Sequence, residues 1–155
     1  MEQKQQKKKR RNLYKVYPIE ENCISCRYCE VACTMVHSES KDPIKAYKLE
    51  DLLPRPTVEV EGPVSLSVMC RHCKHPFCLD ACISGAIWQD KNGVVHLDED
   101  VCVGCWSCVL VCPFGAVHPH LNKRHSFKCD LCEGRDFPAC VEACPNRALV
   151  YDRER

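Results

Sequence analysis

The stretch 102–113, CVGCWSCVLVCP, sets four cysteines at gaps of two, two and three residues and closes on Pro113. Two cysteines separated by two residues in a tight turn aim both sulfurs at one small object, a metal ion or a metal cluster. The gap of three then places Cys112 one helical turn further on, pointing away from the loop that holds Cys102, Cys105 and Cys108. Trp106 stands between two of these cysteines, where its bulk suits shielding of a metal group or contact with a partner, with simple packing as the plainest role.

Three further groups share the rhythm: CISCRYCEVAC with Cys23, Cys26, Cys29 and Cys33, CRHCKHPFCLDAC with Cys70, Cys73, Cys78 and Cys82, and CDLCEGRDFPACVEAC with Cys129, Cys132, Cys140 and Cys144. Together the four groups use all sixteen cysteines of the 155-residue chain. A repeat that leaves no cysteine over points to one shared task. Gaps of two, two and three followed by proline are the bacterial run for 4Fe-4S clusters, in which the fourth cysteine ligates the other cluster of a pair. The groups are therefore expected to work in pairs.

Rival uses of these cysteines fit less well. Disulfides belong to oxidising compartments, and the stretch 1–11, MEQKQQKKKRR, has no apolar core behind it to act as an export signal. No window approaches a membrane-spanning length of apolar residues, so a cytoplasmic protein without a membrane span is expected. Zinc suits a CxxC pair, above all in the fourth group, but does not account for the two-two-three spacing of the first and third. A radical-type cluster with an open iron would need CxxxCxxC, and the deciding positions are Val36, Gly85, Gly115 and Arg147. Four thiolates on every cluster leave no open iron, so outer-sphere electron transfer is expected and no catalytic residue is assigned.

The formal charge of +1 understates the electrostatics. A cubane with four thiolates carries about −2, so a loaded body is acidic while residues 1–11 form a basic tail, expected to be a solvated extension. Binding of nucleic acid would rest on that tail alone, because stacking aromatics are scarce. His72 inside CRHC and His37 after Cys33 lie where a ring N–H would tune a cluster rather than ligate it, since no cysteine is missing.

Short elements of α+β class are expected around the cysteines. Asn92-Gly93 predicts a two-residue hairpin turn, residues 116–128 a strand–turn–strand unit, and 148–153 a closing strand. Helical turns fit YCEVACTMV, PFCLDAC, WSCVLVC and ACVEAC. Residues 41–62 break the rhythm, with TVEVE alternating as a strand, and suit either a plain connector or an insertion that packs across the surface and touches a partner.

The order of the four groups, with CxxCxxxxC in the second and a widened gap in the fourth, resembles the four-cluster ferredoxin-like electron-transfer subunits of the dimethyl sulfoxide reductase iron–sulfur type. HSESKD, CRHC with ACISGA, and CVGCW are most similar to the small iron–sulfur subunit serving nickel-containing carbon monoxide dehydrogenase. Small subunits of tungsten or molybdenum aldehyde oxidoreductase and formate dehydrogenase complexes are close alternatives. The resemblance implies four 4Fe-4S clusters and two bacterial-type ferredoxin-like domains, one inserted in the other: 12–55 with 118–155, and 56–117 within. It implies the ligand sets Cys23, Cys26, Cys29 and Cys144; Cys129, Cys132, Cys140 and Cys33; Cys70, Cys73, Cys78 and Cys112; and Cys102, Cys105, Cys108 and Cys82. It further implies a redox-enzyme partner, with a hydrogenase or flavoprotein as acceptor. Thr34 and Ile83 depart from the family's proline after the fourth cysteine, which affects local geometry and not ligand number. Cys105 fills a position that is replaced in relatives with a three-iron cluster, so no three-iron centre is expected.

Overall fold

The computed structural model describes residues 14–120 and 122–153, so the basic stretch 1–11 lies outside the described residues. Strand β1 (Tyr14–Pro18) pairs antiparallel with the last strand, β8 (Leu149–Arg153), in the register Tyr14↔Arg153 to Pro18↔Leu149. Helix α1 (Tyr28–His37) begins just after the first CxxC pair and packs on α5 (Ala139–Glu142), inside the fourth group. In the same way α3 (Phe77–Asp80) packs on α4 (Ser107–Val111). All four segments expected to be helical are so, and each carries a cysteine on its buried side or at its end.

The remaining strands form three hairpins: β2 (Thr57–Glu61) with β3 (Val64–Val68), β4 (Ile87–Gln89) with β5 (Val95–Leu97), and β6 (Val117–His120) with β7 (His125–Lys128). The turn at Asn92-Gly93 is longer than the expected two residues. Asp90 N–H donates to Val94 O at 2.9 Å and Gly93 N–H to Asp90 O at 3.1 Å, which makes a loop of Lys91, Asn92 and Gly93. Asp90 Oδ1 accepts the Val94 N–H at 2.8 Å, and this side-chain bond selects the longer loop, with Gly93 at φ 95° taking its left-handed position.

Residues 41–62 are more ordered than a connector. Asp42 caps α2 (Pro43–Lys48), its Oδ1 accepting from the N–H groups of Ile44 and Lys45, with Pro43 in the first turn. Beyond it the chain crosses the β6–β7 hairpin: His120 Nε2–H donates to Asp51 O at 2.8 Å and His118 Nε2–H to Arg55 O at 3.2 Å. The segment does pack across the surface.

Two apolar clusters hold the chain. One gathers Val16, Cys29, Val58, Met69, Leu131, Cys140 and Leu149, the other Ile87, Val95, Cys108 and Val117. Both hairpins at the limits of 56–117 pack across them: Val58 and β3 join the cluster of Val16 and Leu149, while β7 lies against β5. Cysteines are core residues in both clusters, so the apolar interior is built around thiols.

Candidate metal centres

The loops that carry the cysteines run through left-handed backbone: Ser25, Arg27, His72, Gly104, Trp106, Leu131 and Cys132 all have positive φ. Such turns curl backbone N–H groups toward the sulfurs. Ala148 N–H donates to Cys144 Sγ at 3.1 Å, Ala116 N–H to Cys112 Sγ at 3.4 Å, Leu131 N–H to Cys129 Sγ at 3.4 Å and Ser126 N–H to Cys102 Sγ at 3.5 Å. Donors aimed at sulfur favour the thiolate, the form that binds metal.

Cys23, Cys26, Cys29 and Cys144 line one cavity, which also touches Val58 and Leu149. Cys70, Cys73, Cys78 and Cys112 line a second, together with Val95 and Val117. Each cavity thus receives three cysteines from one group and one from another. Cys82 and Cys105 each add to the charge around Cys108, as does Cys102, and Cys33 adds to that around Cys132 and Cys140.

The thiols differ sharply in setting. Burial pushes the Cys78 thiol up to about 11, with Cys70 adding to the rise, and also raises Cys129 and Cys140 well above the ordinary thiol range. Cys105 is exposed and lies below the ordinary thiol range because the Ser107 N–H favours its charged form. Burial of Cys82 is outweighed by the N–H groups of Ile87, Ala86 and Ser84, and its pKa falls. Next to burial, Cys70 contributes most to the rise at Cys129, and Cys29 contributes at Cys140, so sets drawn from different groups are close neighbours. Cys26 and Cys105, the second cysteines of the first and third groups, are the exposed ones.

Polar side chains close in around the sulfurs. His37 Nδ1–H donates to Cys33 O at 2.7 Å, and Nε2 lies 3.0 Å from Asp130 Oδ2. Burial lowers the His37 pKa, but Asp130 and Cys33 outweigh it and raise the value to about 9. His72 is fully buried; its Nδ1 accepts the Val95 N–H at 3.1 Å, which leaves the proton on Nε2, an atom with no partner among the described residues. Trp106 Nε1–H is likewise buried without a partner among the described residues. Sequence reasoning singled out His37, His72 and Trp106 but missed Ser67, Ser126 and the buried Lys128. The strand VSLSV did carry a signal: its serines face inward, with Ser65 Oγ–H donating to Cys23 O at 2.9 Å.

These donor sets suit polynuclear iron–sulfur groups. Four thiols surround a space in each cavity, and among the described residues no three His, Cys, Asp or Glu side chains close on a single ion. A profile described as 4Fe-4S dicluster domain matches residues 64–154. The chain belongs to the 4Fe-4S dicluster domain family. It is similar to the Electron transport protein HydN of Escherichia coli (strain K12), 40% identical over 150 residues that cover 86% of this chain and 85% of that protein. An Iron-sulfur protein of Rhodospirillum rubrum is 37% identical over 154 residues, covering 86% and 79% of the two chains. The Probable anaerobic dimethyl sulfoxide reductase chain YnfG of Escherichia coli (strain K12) is 36% identical over 144 residues, covering 83% and 68%. As a member of this dicluster family the chain is a ferredoxin-like iron–sulfur electron-transfer protein with 4Fe-4S clusters, and its relatives are electron-transport proteins and oxidoreductase chains. Among the described residues no helix is long and apolar enough to cross a membrane.

Proposed function

We propose that this chain is a noncatalytic electron-transfer subunit holding four 4Fe-4S clusters, through Cys23, Cys26, Cys29 and Cys144; Cys129, Cys132, Cys140 and Cys33; Cys70, Cys73, Cys78 and Cys112; and Cys102, Cys105, Cys108 and Cys82. The observation that carries this reading is the pair of cavities, each lined by four thiols from two separate cysteine groups. Bound clusters supply one-electron transfer. The chain's own residues orient the sulfurs, exclude water and offer N–H donors to them.

The four sets are proposed to form a path in the order just given. Cys29 neighbours Cys140, Cys129 neighbours Cys70, and Cys78 and Cys112 share an apolar cluster with Cys82 and Cys108. Exposed Cys26 and Cys105 then mark its two ends. The nested arrangement, 56–117 inserted between 12–55 and 118–155, is part of the same proposal and draws support from the pairing of β1 with β8. The setting proposed is cytoplasmic.

The partner proposed is a carbon monoxide dehydrogenase, with a hydrogenase or flavoprotein as acceptor, on the strength of HSESKD, CRHC, ACISGA and CVGCW. Service to an aldehyde oxidoreductase or formate dehydrogenase is the second reading, favoured by the likeness to a dimethyl sulfoxide reductase chain.

Protein purified without oxygen should carry about sixteen irons and equal sulfide per chain, four for each cubane. Zinc in their place overturns the proposal. Cys105→Ala should remove or alter one paramagnetic signal and spare the others, and an enzyme that copurifies identifies the partner.

A further inference from the structure

Lys128 closes β7 immediately before Cys129, and only 4% of its surface is exposed. Its Nζ donates to Cys129 O at 2.7 Å and to Val95 O. Both acceptors are backbone carbonyls. Among the described residues no carboxylate forms an ion pair with Lys128, and the nearest acid in sequence, Asp130, is engaged by His37 and by the Cys132 N–H. A buried ammonium served by carbonyls alone is costly, and buried charges are ordinarily paired or held against an opposite charge.

Cysteines of two sets lie on either side and become anionic when they bind metal: Cys129 is the next residue, and Val95, which receives Lys128, lines the cavity of Cys70, Cys73, Cys78 and Cys112. The Lys128 charge opposes the upward push of burial on both Cys78 and Cys129, which belong to different cysteine sets. Val95 ties the two together: its carbonyl receives Lys128 and its N–H donates to His72 in the CRHC loop. Lys128 therefore stands between the second and third sets of the proposed path.

We propose that Lys128 is a fixed buried charge that raises the reduction potential of the iron–sulfur groups held by the Cys129 and Cys78 sets, making the interior of the path the favoured resting place of an electron. The proposal rests on the four-cluster reading above. Reduction adds one negative charge to each group and neither makes nor breaks a bond, so a neighbouring ammonium stabilises the reduced form more than the oxidised form.

The test is a potentiometric titration, followed by electron paramagnetic resonance, of the whole protein with Lys128→Gln and Lys128→Arg. Signals altered in Cys78→Ser and Cys129→Ser identify the two inner groups. With about sixteen irons retained, Lys128→Gln should lower the inner potentials by about tenfold in the reduced-to-oxidised ratio at fixed potential, or about 59 mV for a one-electron couple. Lys128→Arg should stay near the wild type, and the outer two signals should not move. Loss of iron from the inner sets alone in Lys128→Gln, spared in Lys128→Arg, supports the same role. Unmoved inner potentials, equal movement of all four, or equal loss of iron in both variants overturns it. A wild-type iron content well below sixteen instead overturns the four-cluster reading itself, whatever the variants do.

Discussion

Ser67 Oγ lies 3.7 Å from Cys29 Sγ in the buried interior, across 38 residues of sequence. Ser126 stands in the same relation to Cys108, which is the third cysteine of its group as Cys29 is of the first, at 3.4 Å. Once the sulfur is an iron-bound thiolate, the serine hydroxyl becomes the donor. A donor to sulfur favours the more negative, reduced state and raises the potential. Ser67→Ala and Ser126→Ala should each lower one potential by about 1 kcal/mol, roughly the worth of one such bond. Redox titration of each variant checks this, and a shift in the same signal for both would refute the separate placement of Cys29 and Cys108.

Gly104 sits between Cys102 and Cys105 at φ 69°, and a methyl group there would lie 2.3 Å from the Arg124 carbonyl oxygen. Left-handed strain alone costs about 1–2 kcal/mol. The clash adds to it, because the β6–β7 loop must move. Gly104→Ala should lose more than about 2 kcal/mol of stability and lower the iron content through the set proposed to include Cys105, whereas Gly115→Ala, at φ 59° with open space around it, should show the strain alone. Denaturant midpoints and iron content of the two variants decide it, equal losses being the adverse result.

Much of this architecture is legible because each CxxC turn and the helix after it are local. The helices α1, α3, α4 and α5 follow from the cysteine spacing, and the strands of 116–128 and 148–153 from their β-prone runs. What spacing does not contain is which groups meet, since β1 finds β8 across the whole chain and Cys144 reaches the cavity of Cys23. Strand β3 hides because its polarity is inverted: Ser65 and Ser67 face the thiols and Val64 faces out. Helix α2 did carry its cap, Asp42 before Pro43, within a segment whose prolines and charges suggest a loop. Lys128 gave no sign of burial, because lysine is almost never buried without a partner and its anionic surroundings come from distant cysteines.

His118 provides a pH dependence. Burial lowers its pKa below the ordinary value, and the Arg55 carbonyl only partly restores it. A histidine whose folded pKa is depressed contributes stability above its unfolded value of about 6.5, and that contribution is lost as the pH falls below it. The loss is at most about 1.4 kcal/mol for the first pH unit below 6.5. His118→Gln can still donate to the Arg55 carbonyl but does not titrate. Thermal unfolding of loaded protein at pH 7.5 and 5.5 should show a larger drop for the wild type than for the variant, and identical drops would exclude His118 as a contributor.

Removal of iron should unfold most of the chain. Every sheet described has only two strands, and an isolated hairpin is marginal in water. The clusters of apolar residues are small and have Cys29, Cys140 and Cys108 among their buried members, so in the absence of metal the thiols leave the cavities without a filling. Ligand binding to the folded state alone adds its free energy to folding. Chelation without oxygen should therefore abolish resistance to proteolysis and most far-ultraviolet circular dichroism, and restoring iron and sulfide should bring both back. Residues 41–56 and the β6–β7 hairpin are joined by hydrogen bonds from His118, His120 and Asn122 that need no metal, so this is the part expected to be cleaved last. A protease-resistant, fully structured iron-free protein would show that packing suffices and would remove the ground for assigning the clusters a structural role.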